Sequence, residues 1–544
     1  MLRNNIYLIF LLLPTFLFSQ SKHDYTWILG YPTGNTSQPN NEKFGGMFLR
    51  FSEDSSWVEQ FDIFAGPASA VVNDEEGDFQ FYTTGCAIFN KQMEVMENGD
   101  EINLGGVYYY NYCVKYKEYP IVRSGTLALA VPDTKDKYIL FHLRAELTSD
   151  TTEEFDRFFY TEVDLSYNNG LGKVTAKNQI LVQDSLHDAV AAVRHGNGRD
   201  WWIIIPRGVG REFWEILLTP EGLESPILRT YPASPFTIKI PRLDMPPGHY
   251  FVPNEYAWES WGAQAMFSPD GTKYCRGLKG SEFEIYDFNR CTGDMTLLRR
   301  VPMMPNPWPD PTYPDYPIGA CGLVFSPDSR YLYLNNVLAV YQLDVSPEQI
   351  QTAEPLLIEL WDRTTEEPPS PFETNFFQMR NAPDGKIYIG STSTTKSLHV
   401  IEEPNKAGKA CNFKQHGLKL PRWHFWVINY FPNFRLYDLS GSPCDTLGIN
   451  GSVDTGEPPE QEDTELHLWP VPVSDVLNVN FGNADPGRWR ITDLSGRELL
   501  QGAQAKGISS MNISTSMLLT GTYVFSYQTD NSSVSSRLFV VMRQ

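Results

Sequence analysis

Short alternations of apolar and polar residues, punctuated by Gly, Pro, Asn and Asp, run through most of the chain. Windows with apolar residues at i, i+3, i+4 and i+7 are few, so strands rather than long helices are expected. Three segments share one form: MFSPDGTKYC (266–275), VFSPDSRYLYL (324–334) and RNAPDGKIYIG (380–390). Each predicts strand, turn, strand. The fixed φ of proline suits the second place of a type I turn, with Asp and then Gly (Ser329 in the second copy) following. Alternation resumes beyond, as in Lys386-Ile387-Tyr388-Ile389. Weaker relatives turn near Asp74, Asp133 and Asn197, so six turns recur every 56 to 73 residues.

Self-similarity at this period in a strand-rich chain predicts an all-β fold, a β-propeller over 21–448. Seven blades fit best, with six or eight as alternatives. The N-terminal strand TWILG (26–30) is expected to close the ring by joining the last blade, and 423–438 reads as a further strand pair. An array of β-sandwiches would need independent repeats of about 100 residues, and none is visible.

The two ends read differently. Residues 1–20 hold Arg3, an apolar run from Ile6 to Phe18, and Ser19 and Gln20 where cleavage would fall, the three parts of a secretory signal peptide. The run is shorter than the ~20 residues a spanning helix needs, and no later segment is apolar enough to span a membrane. Residues 449–465 are polar, acidic and Pro-containing, an expected linker. Residues 466–544 show short strands with Gly turns, fitting a small C-terminal antiparallel β-sandwich.

Two resemblances follow from quoted residues. The SPDG turns resemble those of WD-repeat-like and YncE-like propellers. Segments 187–205, 286–295 and 432–448 resemble exported propeller proteins of the Bacteroidota. In the tail, Trp469-Pro470-Val471-Pro472, then Asp493, Gly496 and Arg497, then Gly521-Thr522-Tyr523, and finally Arg543 resemble the blocks of the type A sorting domain of type IX secretion cargo. The opening departs from that family's Tyr-Pro-Asn-Pro. The resemblance implies that the type IX machinery is a partner, and that the protein travels via the periplasm to the outer cell surface or the medium.

The net charge of −22 argues against nucleic acid as a partner. Seven cysteines in an exported chain invite disulfides. Sequence neighbours suggest Cys86–Cys113, Cys275–Cys291 and Cys411–Cys444, leaving Cys321, although spacing cannot fix connectivity. Chemistry is sparse. His195, with Arg194, Arg199 and Asp200, sits in a Gly-rich stretch that reads as a turn, and Trp201-Trp202 reads as blade core. His187 with Asp188 is equally ambiguous. His416 and His424 near Cys411 lack the further ligands a metal site needs. No cofactor motif appears. The Pro-rich stretch 303–319 reads as a long loop whose Trp308, Tyr313 and Tyr316 either stack on a ligand or pack on neighbouring loops; 241–262 reads as a second one. The primary expectation is a secreted binding propeller for a glycan, peptide or protein. Alternatives are an extracellular polysaccharide hydrolase or lyase, or a structural surface component.

Overall fold

Each of the six turns joins the innermost strand of a sheet to the second strand of the same sheet. The computed structural model describes residues 21–31, 45–52, 55–61, 65–66, 68–116, 119, 124–147, 153–208, 211–231, 264–278, 282–302, 322–365, 372–426, 428–447, 467–469, 473, 476–481, 486–493, 497–504, 510–529 and 534–541. Outside them lie Ser19 and Gln20, the segments 241–262 and 451–465, Trp308, Tyr313, Tyr316 and Cys321, and Pro470, Pro472, Gly496 and Arg543 of the tail. The chain divides into two units, 1–453 and 454–544. Among the described residues no helix is long and apolar enough to cross a membrane.

The turn chemistry explains its own recurrence. At the fifth sheet the Ser268 hydroxyl donates to Asp270, and Asp270 Oδ1 accepts from Thr272 N at 2.9 Å. The turn then needs a positive φ, met by Gly271 at 71° and by Ser329 at 61° in the next sheet. Beyond each turn the second strand runs back antiparallel, as in Ala265↔Arg276 and Met266↔Cys275.

Among the described residues the first unit holds seven antiparallel sheets, beginning at Thr26, Ala70, Thr126, Ala191, Ala265, Leu323 and Met379. Their first strands touch in succession, and the Ser124↔Ala189 bridge links the third sheet to the fourth. Sheets stack face to face. One cluster joins Ile28 and Phe48 of the first sheet to Val71 and Tyr82 of the second. Another joins Tyr388 and Leu398 of the seventh to Trp27 and Leu29 of the first. The ring is therefore a closed, seven-bladed propeller. Because both faces of a sheet are covered, some strands are apolar throughout: Trp201–Pro206, WWIIIP, is buried at every position.

Closure differs from the expectation. The strand Thr26–Leu29 pairs with Gly46–Phe51 in a sheet of its own, not with the last sheet. It also runs against the others: Asn73, which ends the first strand of the second sheet, bonds His23 O at 2.7 Å and Thr26 O at 3.1 Å. The first sheet therefore lacks an innermost strand, and residues 428–436 fill that place. Asn429 Oδ1 accepts from Ile28 N at 2.6 Å, and Arg435 pairs with Asp24 at 2.5 Å. Between them Tyr430 reaches over the channel, where its hydroxyl accepts from Ala192 N at 3.1 Å. The strand pair expected over 423–438 is thus not formed: the seventh sheet's last strand, Phe413–Phe425, ends there and the chain turns into the channel.

The cysteines also depart from the expectation. Cys86 bonds Cys113, but Cys291 bonds Cys444 across 153 residues, while Cys275 and Cys411 are buried free thiols. Cys275 lies mid-strand in an apolar cluster with Phe283 and Ile285, so it cannot meet Cys291 in the turn beyond. Cys411 ends a short 3-10 helix and is fully buried in that cluster, away from Cys444. The Cys291–Cys444 bond pins the end of the closing segment to the fifth sheet. A Cβ on Gly196 would run into both of its sulfurs.

Two predictions follow from closure and burial. The Cys291→Ser/Cys444→Ser protein should lose about 3–5 kcal/mol in denaturant unfolding, and Gly196→Val should be destabilised as well. Burial holds His142 and His399 down to about 3 and His424 to about 4. These groups are neutral when folded and take up protons on unfolding below their ordinary value of 6.5. Their stabilisation is complete above that pH and is lost as pH falls toward 4. The unfolding midpoint should drop over this window with a slope of up to about three protons, and His142→Gln should reduce the slope.

Candidate functional site

A cleft of about 480 Å³ opens where the first sheet meets the Asp74–Gly77 turn of the second. Strand register builds one wall. Arg50 lies opposite Thr26 on one side and opposite Trp57 on the other, so a hydroxyl, a guanidinium and an indole stand in one row on one face. Tyr25, Phe51 and Ser52 continue that wall, and Lys22, Glu76 and Gly77 line the other side.

Trp57 is 46% exposed, the one tryptophan among the exposed large apolar residues described. Its ring is held: Nε1–H donates to Glu59 Oε1 at 3.1 Å. Arg50 Nε donates to the other Glu59 oxygen at 2.7 Å, and Arg50 Nη1 donates to Thr26 Oγ1 at 3.1 Å. Partial burial alone would raise the Glu59 carboxyl, but the bonds from Arg50 and Trp57 hold it below its usual range. The Lys22 ammonium stands 5.5 Å from the Tyr25 ring centre. The cleft thus combines a fixed aromatic plane, cationic donors and one further carboxylate, Glu76. Among the described residues no His, Cys, Asp and Glu cluster could hold a metal ion.

The other sequence candidates sit elsewhere. His195 Nδ1 accepts from Asn197 N at 3.1 Å and Nε2 lies 3.0 Å from Cys291 O, so it braces a turn. Arg199 pairs with Asp200 at 2.7 Å, and Trp201 and Trp202 are core residues. His187 and Asp188 are both buried, 3.6 Å apart. His416 bonds Asp362 at 3.0 Å, His424 accepts from Gly30 N at 3.3 Å, and neither adjoins the cleft. A buried Glu284 gathers Arg276, Arg211 and Arg300 at 2.9, 3.1 and 3.1 Å between the fourth and fifth sheets. Its oxygens are fully engaged there, which suits cohesion rather than chemistry. Sequence reasoning passed over Trp57. Its signal was an aromatic residue at a position where SSWVEQF alternation points to solvent.

In the second unit a three-stranded sheet and a four-stranded sheet enclose Leu477, Phe481, Ile491, Phe525 and Phe539. Asp493 closes the hairpin before Arg497: Asp493 N donates to Arg497 O at 3.0 Å and Arg497 N to Asp493 Oδ1 at 3.1 Å. Gly521 opens the strand opposite Val541, and Tyr523 donates to Leu519 O at 2.8 Å while stacking near Phe539. Deleting 454–544 should leave the protein in the periplasm, as cell fractionation would show; normal delivery of the truncated chain would contradict the assignment of this unit.

The sequence matches no curated protein. Among solved structures, a periplasmic gluconolactonase of Pseudomonas aeruginosa is similar at 12% identity over 75% of this chain and 99% of that one, TM-score 0.37. The Cps50 (Swd1) β-propeller domain of Myceliophteria thermophila is similar at 10% identity over 77% and 97%, TM-score 0.27. Neither adds to the architecture read from the sheets. Residues 467–541 match the family described as a secretion system C-terminal sorting domain. The chain is thus a β-propeller carrying a type IX sorting domain, exported to the cell surface or the extracellular space.

Proposed function

We propose that the exported propeller is a glycan-binding protein and that the first-sheet cleft is its binding site. The observation that carries this reading is Trp57: a large aromatic face, exposed yet fixed through Glu59 and Arg50, over a cleft the size of a small saccharide. The apolar face of a sugar ring stacks on such a plane, and its hydroxyls need donors and acceptors at the rim. Arg50 uses Nε and Nη1 internally, which leaves Nη2 to donate outward; Lys22 and Glu76 supply a second donor and an acceptor.

Glu59 does not suit the acid role of a hydrolase. Glycoside hydrolysis by a carboxylate pair needs one acid kept protonated by a raised pKa. Glu59 is held the other way. A screen of 21–448 against a glycan panel, with product analysis on the same panel, tests the reading. Trp57→Ala should weaken the best ligand about 10–30-fold with the unfolding midpoint unchanged. Equal affinity in wild type and variant would reject the cleft, and released product would favour the hydrolase or lyase alternative.

A further inference from the structure

Arg380 is a cation with no counter-charge among the described residues. It lies on Met379–Asn381, the innermost strand of the seventh sheet, and is 3% exposed. Its side chain crosses into the channel. Nε donates to Asn429 O at 3.2 Å, Nη1 donates to Met379 O at 3.1 Å, and the guanidinium stands 5.3 Å from the Tyr430 ring centre. Nη1 also lies 3.8 Å from Met266 Sδ, on the innermost strand of the fifth sheet. Nη2 has no hydrogen-bond partner among the described residues.

Several other arginines packed into the interior are treated differently. Arg276 has Glu284, Arg435 has Asp24, Arg194 feels Asp200, and Arg290 feels Asp270 and Asp438. Among the described residues no carboxylate acts on Arg380. Burial lowers its pKa to about 10, which still leaves the group charged at neutral pH. An isolated charge taken out of water is costly unless something of opposite sign neutralises it. Carbonyls and an aromatic face soften that cost but carry no net charge.

We propose that the channel holds a small monovalent inorganic anion of the chloride class, bound by Nη2 of Arg380. Arg380 is packed closely against Tyr430 and Met266, so the guest is close to a single atom in size. The anion would sit where the closing segment meets the seventh sheet, and so would favour the closed ring.

The test uses the full chain in sodium chloride, bromide and gluconate at constant ionic strength. Chloride and bromide should raise Tm saturably by about 2–4 °C over gluconate, and Arg380→Met should abolish the difference. The same difference in Arg380→Met, or none in wild type, overturns the proposal. Should Arg380→Met fail to fold, crystals of the wild type grown in bromide decide the matter. An anomalous peak within about 3.5 Å of Nη2 supports the site, and water alone there overturns it.

Discussion

The structure depends on how a ring of sheets closes when its first sheet is one strand short. An open edge or an empty axis would expose apolar faces to water, at about 25 cal/mol per Å². The chain meets this with residues 428–436, laid against Thr26–Leu29 with no backbone ladder between them. Side chains do the work that ladder bonds do elsewhere. Arg435 engages Asp24, Asn429 engages Ile28 N and Ser69 O, and the carbonyls of Asn429 and Tyr437 are captured by Arg380 and Arg290. Tyr430 packs beside the clusters of the third to seventh sheets at once.

This closure positions the cleft. Asp24, held by Arg435, precedes Tyr25, and Arg435 also stands 6.0 Å from the Tyr25 ring centre. Ser21 O accepts from Arg435 at 3.0 Å. Residues that line the cleft at Lys22, Tyr25 and Thr26 are therefore anchored from behind by the last residues of the body. A binding surface on a three-stranded sheet would otherwise have fewer strands to support it than one on the four-stranded sheets.

The ring was legible in the sequence because its turns are local chemistry. Asp270, Asp328 and Asp384 mark sites where Pro, Asp and a positive-φ residue are needed together, and those needs show at fixed spacing. The tail was legible for the same reason, through Asp493 and Gly521-Thr522-Tyr523. Closure was not, because WHFWVINYFPNFRLYD looks like strands when read alone; only the missing place beside Thr26–Leu29 shows what it fills. The disulfides were equally hidden, since Cys291 and Cys444 meet through the path of that segment. Trp57 was overlooked because its meaning lies in cross-strand neighbours, Arg50 and Glu59, that pairing register alone reveals.

The central claim is that the closing segment holds the first sheet and its cleft in place. Native-state hydrogen exchange on Arg435→Gln, set beside wild type, tests it directly. Protection should fall first and most over the strands Thr26–Leu29, Gly46–Phe51 and Ser56–Phe61, while the fourth to sixth sheets keep theirs. Unchanged protection in the first sheet, or a uniform loss around the ring, would contradict the account.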